Sequence, residues 1–424
     1  MEANIYSKMS KEELAAEGER LNAQYEELKG KKYSFNMTRG VPCGEQLDLS
    51  LPMLEIKDYL TEGGADCRSY GMLDGIPEAK RLFSSLLGVS PEETTVMGNS
   101  SLSAMYDMVA NAMEFGTYEG AIPWSRQGKI KFLCPVPGYD RHFSICEKFG
   151  IEMINIKMTP EGPDMDAVEK YAADESVKGI WCVPKYANPD GTVYSGRTVE
   201  RFARLRPAAR DFRIFWDNAY CVHDLREGGA ELKNLADACR EAGNPDIFYI
   251  FVSSSKITFA GAGVAAVGTS KTNTASLLKH MFVQTIGHDK MNQLRHVKFL
   301  KNLDNIKKHM NGHRAILKPK FDAVTAGLEA GLGGTGLARW TNPAGGYFIS
   351  LDVPKGCASR TVALAAGLGV ALTPAGSTYP YKKDPDDANI RIAPTFPSAA
   401  ELKTAIGALC LCVRMAARER FALS

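Results

Sequence analysis

Between Thr94 and Ser270 the chain repeats one unit, a short apolar run followed by a polar or glycine-containing break and then, in most cases, a helical pattern. The runs are TTVMG (94–98), KIKFLCP (129–135), EMINIKM (152–158), KGIWCVP (178–184), FRIFWD (212–217), IFYIFVSSS (247–255) and GVAAVGTS (263–270). Helical patterns begin near Ser101, near Tyr139, after Pro163 and after Arg197. Strands that read as near-continuous apolar runs are buried on both faces, and strands separated by helices pair in parallel. The expected fold is therefore α/β, a three-layer, mostly parallel sheet with helices on both faces.

After about Asn292 the pattern changes to long helical stretches and then short strands in GGYFISLDVP (345–354), VALTPAGSTYP (370–380) and NIRIAP (389–394). The expected organisation has three parts. Residues 1–50 form an N-terminal helix, then an irregular stretch from Phe35 to Ser50, acting as an arm on the small domain. Residues 51–305 form a large domain and residues 306–424 a smaller α+β domain.

In open α/β sheets ligands sit at the carboxyl ends of the strands. Five such ends carry polar or glycine-rich sequences: GNSS (98–101), PGYDRH (137–142), KYANPDG (185–191), DNAY (217–220) and SSSK (253–256). The net charge of +2, with acids and bases interspersed, gives no basic block for nucleic acid and no polybasic face for a membrane. No apolar run approaches the roughly 20 residues that span a bilayer. Ten cysteines stand without a C-x-x-C pair, which fits reduced thiols and a cytoplasmic location. No metal site is expected.

Lys256 is the most informative single residue. A lysine at the end of a buried strand, once burial favours its neutral form, is an amine nucleophile able to form a Schiff base. Ser253 and Ser255 beside it offer hydroxyl and backbone N–H donors to a phosphate. Asn99, Ser100 and Ser101 open a helix whose N-terminus either binds an anion or is simply capped by these side chains. Asp217 ends an apolar strand, where a carboxylate needs a cationic partner. The protonated ring nitrogen of a pyridoxal cofactor is such a partner. Asn188 and Tyr220 can donate to a ring oxygen, and Tyr139 can stack on a ring face.

Together, NPDG at Asn188, DNAY at Asp217 and SSSK at Lys256 resemble the fold-type I, class I aminotransferases, which use pyridoxal 5′-phosphate. SYGMLDGIPEAKRLF (69–83) resembles that family's segment of spaced Tyr, Gly and Arg, and TRGVP (38–42) its substrate-closing segment. TRGVPCGEQLDLS, PGYDRH, SKITFAGAGVA and IGHDKMNQLRHVKFL are most similar to a bacterial aspartate aminotransferase-like subgroup. Little more than one helix precedes Phe35, so the DNA-binding extension of the related MocR-type regulators is not expected.

The resemblance implies roles for individual residues. Lys256 holds the cofactor as a Schiff base and shuttles a proton. Asp217 pairs with the ring nitrogen, and Asn188 and Tyr220 contact the ring oxygen. Tyr139 stacks on the ring, with His142 behind it near Asp217. Asn99, Ser100, Ser101, Ser253 and Ser255 hold the phosphate. Tyr70 reaches the phosphate of a neighbouring subunit, which implies a homodimer with shared sites. Arg391 clamps the substrate α-carboxylate, assisted by Gly40 and Asn188. The family's phosphate-gripping arginine, seven or eight residues past the lysine, is replaced by Gly263 and Val264.

The implied reaction is transamination of aspartate or glutamate with a 2-oxo acid such as 2-oxoglutarate. An alanine or aromatic aminotransferase, a pyridoxal-dependent lyase and a non-catalytic cofactor-binding sensor are the competing readings. Arg39, Arg141, His288 and Lys290 are the candidates for reading a distal carboxylate.

Overall fold

The computed structural model describes residues 4–422; the outermost residues of the expected 1–50 and 306–424 segments lie outside the described residues. In chain order its strands are β1 (Phe35–Met37), β2 (Thr94–Met97), β3 (Lys131–Val136), β4 (Glu152–Thr159), β5 (Gly162–Pro163), β6 (Val177–Cys182) and β7 (Arg213–Asp217). They continue with β8 (Phe248–Ser253), β9 (Ala265–Gly268), β10 (Arg339–Trp340), β11 (Ile349–Asp352), β12 (Val370–Leu372) and β13 (Asn389–Ile392). All seven apolar runs enter one eight-stranded sheet of order β2-β9-β8-β7-β6-β3-β4-β5. The central strands β8, β7, β6, β3 and β4 are mutually parallel. β9 runs antiparallel to both of its neighbours, and the short β5 runs antiparallel to β4.

The apolar content of these strands has a structural cause. Every residue of β6 and β7 is buried. Phe132, Trp181, Phe215 and Phe251 pack on one face with Met105 and Val109 of the helix Ser101–Phe115. Ile180, Ile214, Trp216 and Ile250 pack on the other with Leu82, Phe83 and Phe202. Burying a side chain of this size contributes roughly 1.5–3 kcal/mol, so the sheet dominates the stability of this part of the chain.

The remaining strands form two small sheets, an antiparallel β10-β11-β13 and a parallel β1-β12 pair. The helix Ala399–Ala422 buries Leu402, Leu409 and Val413 in one core with Leu14 and Leu21 of the helix Lys11–Lys29 and Val324 and Leu328 of the helix Leu303–Leu332. The stretch from Phe35 to Ser50, read as irregular, contains β1 and a short helix, Gly44–Asp48. β1 ties this stretch to β12, and Thr395 Oγ1 donates to Val41 O at 2.7 Å. Among the described residues no helix is long and apolar enough to cross a membrane.

Candidate active site

The carboxyl ends of β7 and β8, the start of the helix Ser101–Phe115 and the stretch 39–41 meet around a cleft of about 320 Å³. Asp217, the last residue of β7, is buried on its floor. Its Oδ2 is 3.1 Å from His142 Nε2, and His142 stacks on Trp181 with ring centres 4.5 Å apart. Oδ1 of the same carboxylate is buried and has no hydrogen-bond partner among the described residues. A buried carboxylate oxygen left unpaired is costly and marks the place of an absent donor. The ring N–H of pyridoxal phosphate is a donor of that kind, and the residues around Asp217 fit it. Tyr139 packs edge-on against His142, at 4.9 Å, and Tyr220 lies beneath the Lys256 Nζ, which is 5.0 Å from its ring centre.

Burial lowers the Lys256 amine below the ordinary lysine range, while the charge of Asp217 pulls in the opposite direction. The result favours a larger neutral, nucleophilic fraction than an exposed lysine carries. Burial also raises the phenols of Tyr220 and Tyr139, the latter to about 12, so both remain hydroxyl donors.

Ser100, Ser101, Ser253 and Ser255 all line the cleft. Ser100 Oγ accepts from Leu102 N–H at 3.2 Å, so this hydroxyl caps the helix. Ser255 Oγ donates to the Asn99 carbonyl at 3.2 Å, joining the two loops; the Asn99 side chain itself is not part of the lining. The missing arginine has a steric explanation. A Cβ on Gly263 would lie 2.8 Å from Ser255 Oγ and 3.0 Å from Ser255 N, so the chain returns too close for a side chain. Val264 is buried, its N–H donating to Ser254 Oγ at 2.8 Å, and Asn292 Nδ2 holds the Ala262 and Gly263 carbonyls at 3.0 and 3.1 Å. Ser254 and Asn292 had no signal in the sequence beyond being polar.

At the opposite end, Arg391 projects from β13 and is buried. Its Nη1 donates to Asp140 Oδ1 at 3.0 Å and to Asn188 Oδ1 at 3.4 Å, and its Nη2 to Thr373 Oγ1 at 3.3 Å. The guanidinium sits over Phe348, 4.8 Å from its ring centre. Gly40 is there because a Cβ would lie 2.6 Å from the same Phe348 ring. Asp140 and Thr373 were not singled out in the sequence; one opens a helix and the other follows a strand, with no spacing that links them to Arg391.

The four candidates for reading a distal carboxylate separate. Arg39 and Arg141 line the cleft, are exposed and have no ion-pair partner among the described residues. His288 lies outside the lining, its Nδ1 about 4.0 Å from where a Gly98 Cβ would stand. Lys290 is buried away from the cleft. Tyr70 is 84% exposed and outside its own chain's cleft.

Comparison with known proteins gives this geometry a family. The aspartate amino-transferase family profile matches residues 9–423. An aspartate aminotransferase of Corynebacterium glutamicum is 43% identical over 407 residues, 95% of this chain and 94% of its own. The crystal structure of an aspartate transaminase from C. glutamicum superposes with a TM-score of 0.96 at 41% identity, covering 99% of this chain and 100% of that one. An α-aminoadipate aminotransferase of Thermus thermophilus, solved with N-(5′-phosphopyridoxyl)-L-leucine, shares the fold at a TM-score of 0.72 and 20% identity, covering 90% and 92% of the two chains. The mostly parallel sheet, the cleft at its strand ends and these relatives together place the chain in the aspartate aminotransferase family of enzymes.

Proposed function

We propose that the protein is a pyridoxal 5′-phosphate-dependent aminotransferase acting on aspartate or glutamate, with a 2-oxo acid such as 2-oxoglutarate as acceptor. The observation that carries the cofactor reading is the unpaired, buried Oδ1 of Asp217 on the floor that Lys256 also lines. Bound there, the group supplies an aldehyde for an amine and a cationic ring that withdraws electrons. Lys256 is the amine that holds it. Once released, the same Nζ takes a proton from the substrate Cα and returns it, a task suited to a lysine with a lowered pKa. Asp217 keeps the ring nitrogen protonated, and His142 keeps Asp217 oriented. Tyr220 and Asn188 serve the ring oxygen, Tyr139 its face, and the serine hydroxyls with the helix start its phosphate.

Arg391 takes the substrate α-carboxylate, which displaces Asp140 as the acceptor of Nη1. Arg39 and Arg141 favour a dicarboxylate, because they are cations at the cleft with no ion-pair partner among the described residues. The exposed Tyr70 serves the phosphate of a second copy in a homodimer, and the ten free cysteines suit a cytoplasmic protein. An absorbance scan of the purified protein against a panel of amino acids tests the reading. The expected result is a visible cofactor band that aspartate and glutamate bleach at concentrations at which alanine and phenylalanine do not. A protein without such a band, or one bleached best by a monocarboxylic amino acid, contradicts it.

A further inference from the structure

The backbone that carries Lys256 turns sharply. The N–H groups of Ile257 and Thr258 both donate to Ser254 O at 2.8 Å, making one turn of helix that goes no further. The carbonyls of Lys256 and Ile257 find no backbone donor among the described residues, yet Ile257 is buried. Buried carbonyls must be satisfied by something else. Here three side chains approach them. Lys256 O accepts from His223 Nε2 at 3.2 Å and Tyr347 Oη at 3.4 Å. Ile257 O accepts from His309 Nε2 at 2.8 Å, and His313 Nε2 lies 3.2 Å from that nitrogen.

Gln46 decides which atoms donate. Its Oε1 accepts from Cys43 N–H at 3.1 Å, so its amide nitrogen faces His313 Nδ1 and Tyr347 Oη, each at 3.0 Å. Both act as acceptors on that side. A neutral imidazole has one N–H, and a phenol has one O–H. The Tyr347 proton is then left to point at the Lys256 carbonyl, and the His313 proton sits on Nε2, facing His309. Gln46, His313 and Tyr347 are all buried, and burial lowers both His223 and His313 so that neither carries a charge near the lysine.

We propose that Gln46, His223, His309, His313 and Tyr347 form a positioning clamp on the Lys256–Ile257 backbone, keyed by the N-terminal segment, that fixes where the lysine amine stands over the cleft floor. These are positioning residues; none of the five is among the residues that line the cleft. Arg39 to Val41, a few residues before Gln46, line the cleft, so the key belongs to the same stretch that meets the substrate. A reacting amine displaced by about 1 Å can lose on the order of 100-fold in rate, which is the reason to hold its backbone from three sides. The inference rests on Lys256 being the reacting amine.

The test uses Tyr347→Phe, Gln46→Met, His223→Leu and His223→Gln in the full chain. Three quantities are read: the pH at which the bound pyridoxal phosphate band titrates, kcat against KM, and amide exchange at Ile257 and Thr258 without the cofactor. Tyr347→Phe, Gln46→Met and His223→Leu should each move the band's titration by about half a pH unit or more. They should lower kcat about tenfold with KM little changed, and speed the two amides about tenfold. His223→Gln keeps a donor at the Nε position and should restore most of the loss. If melting temperature falls while titration, kcat and exchange stay at wild-type values, the residues are merely structural and the proposal is overturned. Should His223→Leu fail to fold, Tyr347→Phe decides. Borohydride fixation on a lysine other than Lys256 would defeat the parent reading, and the exchange measurement would still decide whether the clamp exists.

Discussion

On the floor of the cleft, Asp217 is buried, bonded to His142 and backed by Trp181, while the Lys256 and Ile257 carbonyls are held by His223, Tyr347 and His309. At the rim, Arg39 and Arg141 lie exposed with no ion-pair partner among the described residues. Floor groups have their geometry set before any ligand arrives, which is what bond-making chemistry requires. Rim groups keep their solvation until a substrate carboxylate replaces it, so their contribution depends on which substrate comes. Arg391 stands between the two, buried like the floor but bonded to Asp140, an acceptor that a carboxylate can replace.

This contrast predicts a ranking. Lys256→Ala breaks the floor and should cost on the order of 10⁴-fold or more in turnover, because nucleophile and proton carrier are one group. Noncovalent cofactor binding should survive, checked by equilibrium dialysis. Asp217→Ala should follow, at roughly 10²–10³-fold in kcat, since it removes a fixed charge aimed at the ring. Near-normal turnover of that variant would break the floor account. Arg391→Lys cannot reproduce the two-pronged grip. It should weaken every amino acid and 2-oxo acid alike, by roughly 2–5 kcal/mol or about 30- to several-thousand-fold in kcat/KM. Arg39→Gln and Arg141→Gln should act only at the rim. At least one should cost aspartate and glutamate roughly 10–100-fold and leave alanine within about twofold. Equal losses for alanine would erase the distinction between floor and rim.

Two buried histidines, His313 of the clamp and His296, bonded to Thr258 Oγ1 at 2.8 Å, also predict a pH dependence of stability. Burial depresses His296 and His313 from 6.5 to about 4. Below pH 6.5 the unfolded chain binds protons that these folded histidines refuse, so stability is fully present above that pH and falls as pH drops toward 4. Each contributes on the order of 3 kcal/mol across this window. Urea unfolding followed from pH 7 to pH 4.5 should show the decline; a flat profile would place both imidazoles in solvent.

How much of this was legible in the sequence follows from the physics of each part. The central strands announced themselves because burial on both faces leaves mostly apolar residues in β6, β7 and β8. The reversed direction of β9 did not, because an apolar run carries no arrow. β1 and the helix Gly44–Asp48 were missed inside a turn-rich stretch, being three and five residues long, too short for either periodicity to register. Lys256, Asp217 and Asn188 were readable as candidates because each stands at or soon after a strand end, where open sheets place their ligands. The clamp was not readable as a unit: His309 and His313 are one helical turn apart, but positions 46, 223 and 347 share no spacing with them and meet them only when the chain has folded. The ion pair of Arg391 with Asp140, 251 residues apart, was hidden for the same reason.

The central claim is that the amine on this floor, and no other, reacts with the cofactor. Borohydride reduction of the purified protein loaded with pyridoxal 5′-phosphate, followed by digestion and mass spectrometry, addresses it directly. The account predicts a phosphopyridoxyl group on the peptide containing Lys256, at close to one per chain, abolished by Lys256→Ala. Labelling of a different lysine at that stoichiometry, or no fixation above that of the Lys256→Ala variant, would contradict it.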